Sequence, residues 1–136
     1  MMQTKMWDWQ VEIDESLVSA SPDEIRAQIA EYEQGNRKEF DLKVEFPDSF
    51  TGQVMAAMAE IPRGETRTYG DIAETLDTAA IAVGQACGRN PVPVVIPCHR
   101  IVAADGLGGY SGGKGDRLTL KKRLLDLESE SKSKSR

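Results

Sequence analysis

The sequence predicts an α+β fold in which a small strand-and-helix region precedes a mainly helical domain. Three observations carry that expectation. Alternating polarity is confined to short stretches before residue 48, apolar residues at helical spacing dominate afterwards, and helix-start signals recur along the chain. A length of 136 residues suits one ordinary domain, or a compact domain with a small appendage. Such a chain can bury a core without disulfides or a structural metal. The expected divisions are 1–48 for an N-terminal structural region, 49–128 for the main domain, and 129–136 (SESKSKSR) for a disordered polar tail.

The elements follow in order. Residues 6–13 (MWDWQVEI) alternate loosely and read as a short strand. Ser21-Pro22-Asp23-Glu24 has the form of a helix start, with Ser21 as cap, Pro22 in the first helical position and Glu24 placed to close a capping box. Ile25, Ile29 and Tyr32 supply its apolar stripe, and Gly35-Asn36 stops it. Phe40, Leu42, Val44 and Phe46 then alternate with polar residues up to Pro47, as an extended segment or strand. Beyond Asp48-Ser49, the spacing of Val54, Met55, Met58 and Ile61 is helical until Pro62-Arg63-Gly64. Thr68 caps a short helix carrying Tyr69, Ile72, Ala73 and Leu76, with Asp71 in the capping-box position. Asp77-Thr78 turns into a third helix at 79–88 (AAIAVGQACG). Two short helices joined by a turn, the second rich in small residues, match a helix-turn-helix, though taken alone they read more readily as a plain helical hairpin packed in a core. Asn90-Pro91-Val92-Pro93 breaks that helix, and Val94-Val95-Ile96 leads into Pro97-Cys98-His99-Arg100. A glycine-rich loop through Gly113 precedes a last helix at about 117–128, carrying Leu118, Leu120, Leu124, Leu125 and Leu127.

Composition narrows the function classes. No run of about 18 apolar residues occurs, which argues against a membrane span. The start MMQTKMWDWQVEIDE has no apolar signal core, so the expectation is a cytoplasmic protein. The cysteines are Cys87 and Cys98, and the single histidine is His99. One His and two Cys make a poor inventory for zinc, and no metal is expected. The net charge of −5 is unevenly divided: residues 1–49 hold 5 Lys/Arg against 12 Asp/Glu, and the remainder holds 12 against 10. Phosphate neutralisation depends on a local face, so the acidic mean does not exclude DNA. An acidic surface also suits a salt-rich cytoplasm.

Cys98 and His99 are the candidates for chemistry; the pair reads more readily as a buried structural cysteine beside a surface histidine until its wider context is considered. A thiol must ionise to attack, and a neighbouring imidazole or arginine favours that. Side chains of successive residues in extended backbone point apart, so the proton would pass through a water. The carboxylate orienting the imidazole comes from elsewhere, and the last helix offers Asp126 and Glu128.

The wider context is specific. IPCHRIV, preceded by GRNPVPVV and followed by GGYSGG and a leucine-rich helix ending LLDLE, resembles the O6-alkylguanine-DNA alkyltransferase family over roughly residues 46–128. The resemblance implies a truncated N-terminal α/β region and a winged-helix-like helix-turn-helix domain. It implies that Cys98 is nucleophile and permanent alkyl acceptor, that His99 takes its proton through a water, and that Glu128 orients His99. It further implies that Tyr69 donates a proton toward the leaving guanine and that Asn90 is a hinge before the active-site strand. Tyr110 and Ser111 would line the pocket for the extruded base, Lys121 would assist the site, and Arg100 would contact DNA. No cofactor is implied. The implied partner is double-stranded DNA carrying O6-alkylguanine, entered from the minor groove by a monomer.

Chemistry agrees with these roles. The target carbon lies on a guanine edge inside a stacked duplex, so the nucleotide must rotate out to meet a thiolate. The thioether has no easy route back, so each molecule acts once. A helix bearing Ala79, Ala80, Ala82, Gly84 and Ala86 can approach a narrow groove closely. Ile81 departs from the family, which usually places an arginine there to fill the gap left by the flipped nucleotide. An isoleucine can act as an apolar wedge or simply belong to the core. Lys114-Gly115-Asp116-Arg117 reads as a small insertion before the last helix. The alternative function is a non-catalytic module that recognises alkylated DNA. A cysteine hydrolase would need an oxyanion hole, for which only GGYSGG offers donors.

Overall fold

The computed structural model describes residues 1–104 and 116–134, with side chains described at 1–104 and 118–129. The chain opens with an antiparallel hairpin rather than the single strand expected at 6–13. Strand β1 (Met2–Met6) pairs with β2 (Trp9–Ile13), Met2 opposite Ile13 and Met6 opposite Trp9. The reversal at Trp7-Asp8 lacks the glycine or asparagine that marks such turns, and Trp7 takes a φ of 52°. That is an unfavourable region for a bulky residue. Two contacts offset it: the Trp7 amide donates to the Glu33 carboxylate, and the Arg123 guanidinium lies 4.5 Å from the indole centroid.

Helix α1 (Pro22–Glu33) begins as its sequence implies, with the Ser21 hydroxyl accepting from the Glu24 amide at 3.1 Å. The Glu24 carboxylate does not complete the box; it accepts instead from Gln28 at 2.7 Å. Ile25, Gln28, Ile29 and Tyr32 form the buried stripe. Gln28 also holds the following linker, accepting from the Asp41 amide at 2.8 Å and donating to the Asp41 carbonyl at 3.2 Å. The alternating segment 40–46 is extended, and its pairing is an isolated antiparallel bridge between Val18 and Val44. The linker ends on helix α2 (Phe50–Ala59), capped by Ser49. Here Gly52 is required by close approach: a Cβ at this position would lie 1.8 Å from the Pro47 carbonyl oxygen.

Strand β3 (Arg67–Thr68) feeds directly into helix α3 (Tyr69–Leu76). Its capping box is complete, with the Thr68 hydroxyl accepting from the Asp71 amide and the Asp71 carboxylate accepting from the Thr68 amide. Asp77, in the left-handed region at φ 54°, ends α3, and helix α4 (Ala80–Gly88) follows. A 3-10 turn at Cys98–Arg100 then runs into strand β4 (Ile101–Val102), parallel to β3. Helix α5 spans Asp116–Lys134. It therefore continues through six residues of the segment expected to be a disordered tail. The reason is compositional, since Glu and Lys propagate a helix already nucleated by packed leucines.

The core is continuous from end to end. Met6, Ile13, Ile25, Ile29, Val54, Met55, Met58, Ile101 and Leu124 belong to one buried cluster, so hairpin, α1, α2 and α5 enclose the same interior. The Asp14 amide donates to the Pro91 carbonyl at 2.8 Å, fastening the hairpin side to the loop before Cys98. Among the described residues no helix is long and apolar enough to cross a membrane.

Candidate active site

The loop leading to Cys98 is closed by Asn90 at the end of α4. The Asn90 carboxamide donates to the Ile96 carbonyl at 2.9 Å and accepts from the Val92 amide at 3.0 Å. Within the loop Val94 adopts a φ of 73°, a strained conformation for a β-branched residue. Burial of Val92, Val94 and Ile96 holds it in place. The expected hinge residue is thus a clasp across a tight loop.

The segment expected to be a strand at Cys98 is instead the 3-10 turn. Three residues per turn send the side chains of Cys98, His99 and Arg100 about 120° apart. Cys98 and His99 are both buried. His99 faces α5, where its Nε2 lies 2.6 Å from Glu128 Oε2. On α5 the buried positions Leu120, Lys121, Leu124 and Glu128 share one face. Position 128 therefore extends the leucine stripe inward, whereas Asp126 is exposed and accepts from Lys122 at 3.3 Å. Of the two carboxylates the helix offered, Glu128 is the one at the imidazole.

Arg100 grips the same carboxylate with both arms of its fork. Its Nε donates to Glu128 Oε1 at 2.9 Å and an Nη to Oε2 at 3.1 Å, while the other Nη donates to the Ile61 carbonyl at 2.6 Å. This side chain is only 12% exposed, so its charge is committed within the protein rather than displayed toward a ligand. The Tyr32 hydroxyl, from α1, donates to Glu128 Oε2 as well. Burial alone would raise the Glu128 pKa, but the hydrogen bonds from His99 and Arg100, together with the Arg100 charge, outweigh it and lower the group to about 2. Burial depresses the His99 pKa against the pull of Glu128. Since Arg100 already neutralises Glu128, we assign a neutral imidazole with its proton on Nε2, which makes Nδ1 the basic nitrogen.

Lys121 is fully buried, and its Nζ lies 5.7 Å from the Tyr69 ring centroid. Burial lowers its pKa to about 8, opposed by the nearby thiols of Cys98 and Cys87. Cys87 is the small buried residue expected in α4, its thiol 3.8 Å from Met58 Sδ and pushed up to about 12, chiefly by burial. Tyr69 opens α3 and packs beside Gly84 of α4, whose missing Cβ would meet the ring at 4.0 Å. Ile81 is 74% exposed, which rules out a core role. Tyr110 and Ser111 lie outside the described residues. No group of three or more His, Cys, Asp or Glu side chains able to hold a metal occurs among the described residues.

Tyr32 is a site residue that the sequence motifs do not mark. Its signal was present, since a buried tyrosine in an apolar stripe needs a partner for its hydroxyl.

A buried thiol followed by a carboxylate-held imidazole on an α+β scaffold defines a protein built for cysteine nucleophilic chemistry. The chain belongs to the 6-O-methylguanine DNA methyltransferase family, whose DNA binding domain matches residues 49–130. It is 45% identical over 113 residues to a methylated-DNA–protein-cysteine methyltransferase of Archaeoglobus fulgidus, covering 81% of this chain and 77% of the relative. The protein of the same name from Sulfolobus acidocaldarius is 47% identical over 98 residues, covering 71% of this chain and 61% of the relative. The crystal structure of Mycobacterium tuberculosis OGT in complex with DNA superposes with a TM-score of 0.69 at 37% identity, covering 79% of this chain and 67% of that one.

Proposed function

We propose that this chain repairs alkylated DNA by moving the alkyl group of O6-alkylguanine onto Cys98, once per molecule. The observation that carries the reading is the buried 2.6 Å hydrogen bond from His99 Nε2 to Glu128, on the residue next to Cys98. In this step His99 Nδ1 takes the thiol proton through a water. The Cys98 sulfur bonds the alkyl carbon and the carbon–O6 bond breaks. Its electron pair passes to guanine, to which the Tyr69 phenol supplies a proton. Lys121 adds positive charge near Cys98 and favours the thiolate. No cofactor takes part.

Residues 49–128 act as the DNA-binding and transfer domain of a cytoplasmic monomer. Helices α3 and α4 serve as a helix-turn-helix entering the minor groove, where the small residues of α4 permit close approach. Tyr110 and Ser111 line the base pocket in this reading. The exposure of Ile81 supports its use as an apolar wedge at the vacated base position. Ile81→Arg, which restores the polar contacts usual in the family, should speed transfer from duplex DNA about tenfold, a gain of ~1.4 kcal/mol in the transition state. Single-stranded substrate, already unstacked, should respond far less. Equal rates for the two proteins on duplex DNA would refute the wedge role.

The function itself is tested with an O6-methylguanine oligonucleotide and peptide mass spectrometry. One methyl on Cys98 per molecule, absent from Cys98→Ala, is the expected result. Lesion binding by a reduced, folded sample without transfer would instead establish a recognition module.

A further inference from the structure

The N-terminal region reaches the centre of the site through one side chain. Tyr32 is fully buried on α1, 96 residues before the carboxylate it contacts, and its hydroxyl donates to Glu128 Oε2. That oxygen is the one bonded to His99 Nε2. It also accepts from an Arg100 Nη at 3.1 Å, and the same nitrogen lies 3.4 Å from the Tyr32 oxygen. Three donors thus converge on one oxygen of the group that orients the imidazole.

We infer that Tyr32 is a positioning residue of the transfer reaction, setting the direction and basicity of Glu128 Oε2 and thereby the proton affinity of His99. The inference rests on the alkyl-transfer reading of the site for its kinetic part only. A hydroxyl that donates to a carboxylate oxygen withdraws charge from it. Less charge on Oε2 means weaker stabilisation of an imidazolium at His99, so the imidazole stays neutral and able to accept the thiol proton. The titratable and charged groups around the pair are Tyr32 from α1, Arg63 from the loop after α2, Arg100 from the 3-10 turn and Lys121 from α5. Arg63 lies over the Tyr32 ring, 4.9 Å from its centroid, and Phe40 stacks on that ring at 4.7 Å. Both contacts are to the ring, so Tyr32→Phe removes the hydroxyl and preserves the packing.

His99 is the only histidine in the chain, so its imidazole nitrogen resonances need no assignment. In Tyr32→Phe the His99 titration, followed by nitrogen NMR, should move to higher pH by about half a unit or more. The acid limb of the transfer rate should move the same way. Phe40→Leu, which disturbs the packing of the ring and keeps the hydroxyl, should leave the His99 titration in place. An unchanged His99 titration in folded Tyr32→Phe overturns the inference whatever the transfer rate. A moved titration in a protein that transfers no methyl supports the proton-affinity role and overturns the alkyl-transfer reading instead.

Discussion

Glu128→Gln is expected to destabilise the protein by about 3 kcal/mol and to slow transfer about a hundredfold. The first effect follows from Arg100. Its guanidinium is largely buried and bonded to both oxygens of Glu128, and an amide leaves a buried charge without a counter-charge. The second follows from His99, which loses the anion that fixes its tautomer and stabilises its cation. The wild-type pH dependence provides a separate check. Glu128 titrates near 2 in the folded state against an ordinary 4.5, so its contribution is complete above 4.5 and disappears as pH falls toward 2. That difference corresponds to about 3 kcal/mol, the same order as the truncation cost. His99, whose folded pKa is depressed below 6.5, acts in the same direction: the unfolded chain takes up its proton first, so stability declines as pH drops below 6.5. Urea unfolding between pH 7 and 3 should therefore show a steep acid loss in the wild type and a flatter one in Glu128→Gln. Wild-type stability at pH 7 in the variant would mean that the carboxylate is not the anchor described.

Gly52→Ala should cost about 3 kcal/mol, far from the usual gain when glycine in a helix is replaced. The added Cβ would stand 1.8 Å from the Pro47 carbonyl oxygen and 2.8 Å from its carbon. Both atoms are backbone, so neither yields by changing a rotamer. Either the linker lifts away from α2 or the helix start distorts, and the Ser49 cap on the Gly52 amide is lost with it. The movement would reach the site, because α2 carries Met58 against Cys87 and ends near Ile61, whose carbonyl accepts from Arg100. A denaturant midpoint equal to that of the wild type would show that the linker does not bear on α2 in solution.

Much of this was legible beforehand. The starts of α1 and α3 were readable because caps are local: Ser21 and Thr68 bond to amides three residues away, whereas the Ser49 cap of α2 went unread. The pairing of His99 with Glu128 was readable from the ordered motif, and the leucine stripe of α5 agrees with the inward placement of residue 128. What escaped was either too short or too distant. Strands β3 and β4 have two residues each, below the length at which alternation is a signal. The hairpin turn at Trp7 lacks turn residues because tertiary contacts from Glu33 and Arg123 hold it. Arg100 was expected to contact DNA, since nothing in sequence places it against a residue 28 positions away. Tyr32 filled an apolar stripe correctly, and only the folded chain shows where its hydroxyl ends.

The carboxylate that completes the site lies on the last helix, and that has a consequence during synthesis. In the order of synthesis Cys98 precedes residue 128 by 30 positions. Until that residue docks, the cysteine has neither its buried setting nor a base oriented for it, and behaves as an ordinary thiol. In the proposed single-use reaction, a thiol that gains its base only on folding is not spent before the site is assembled.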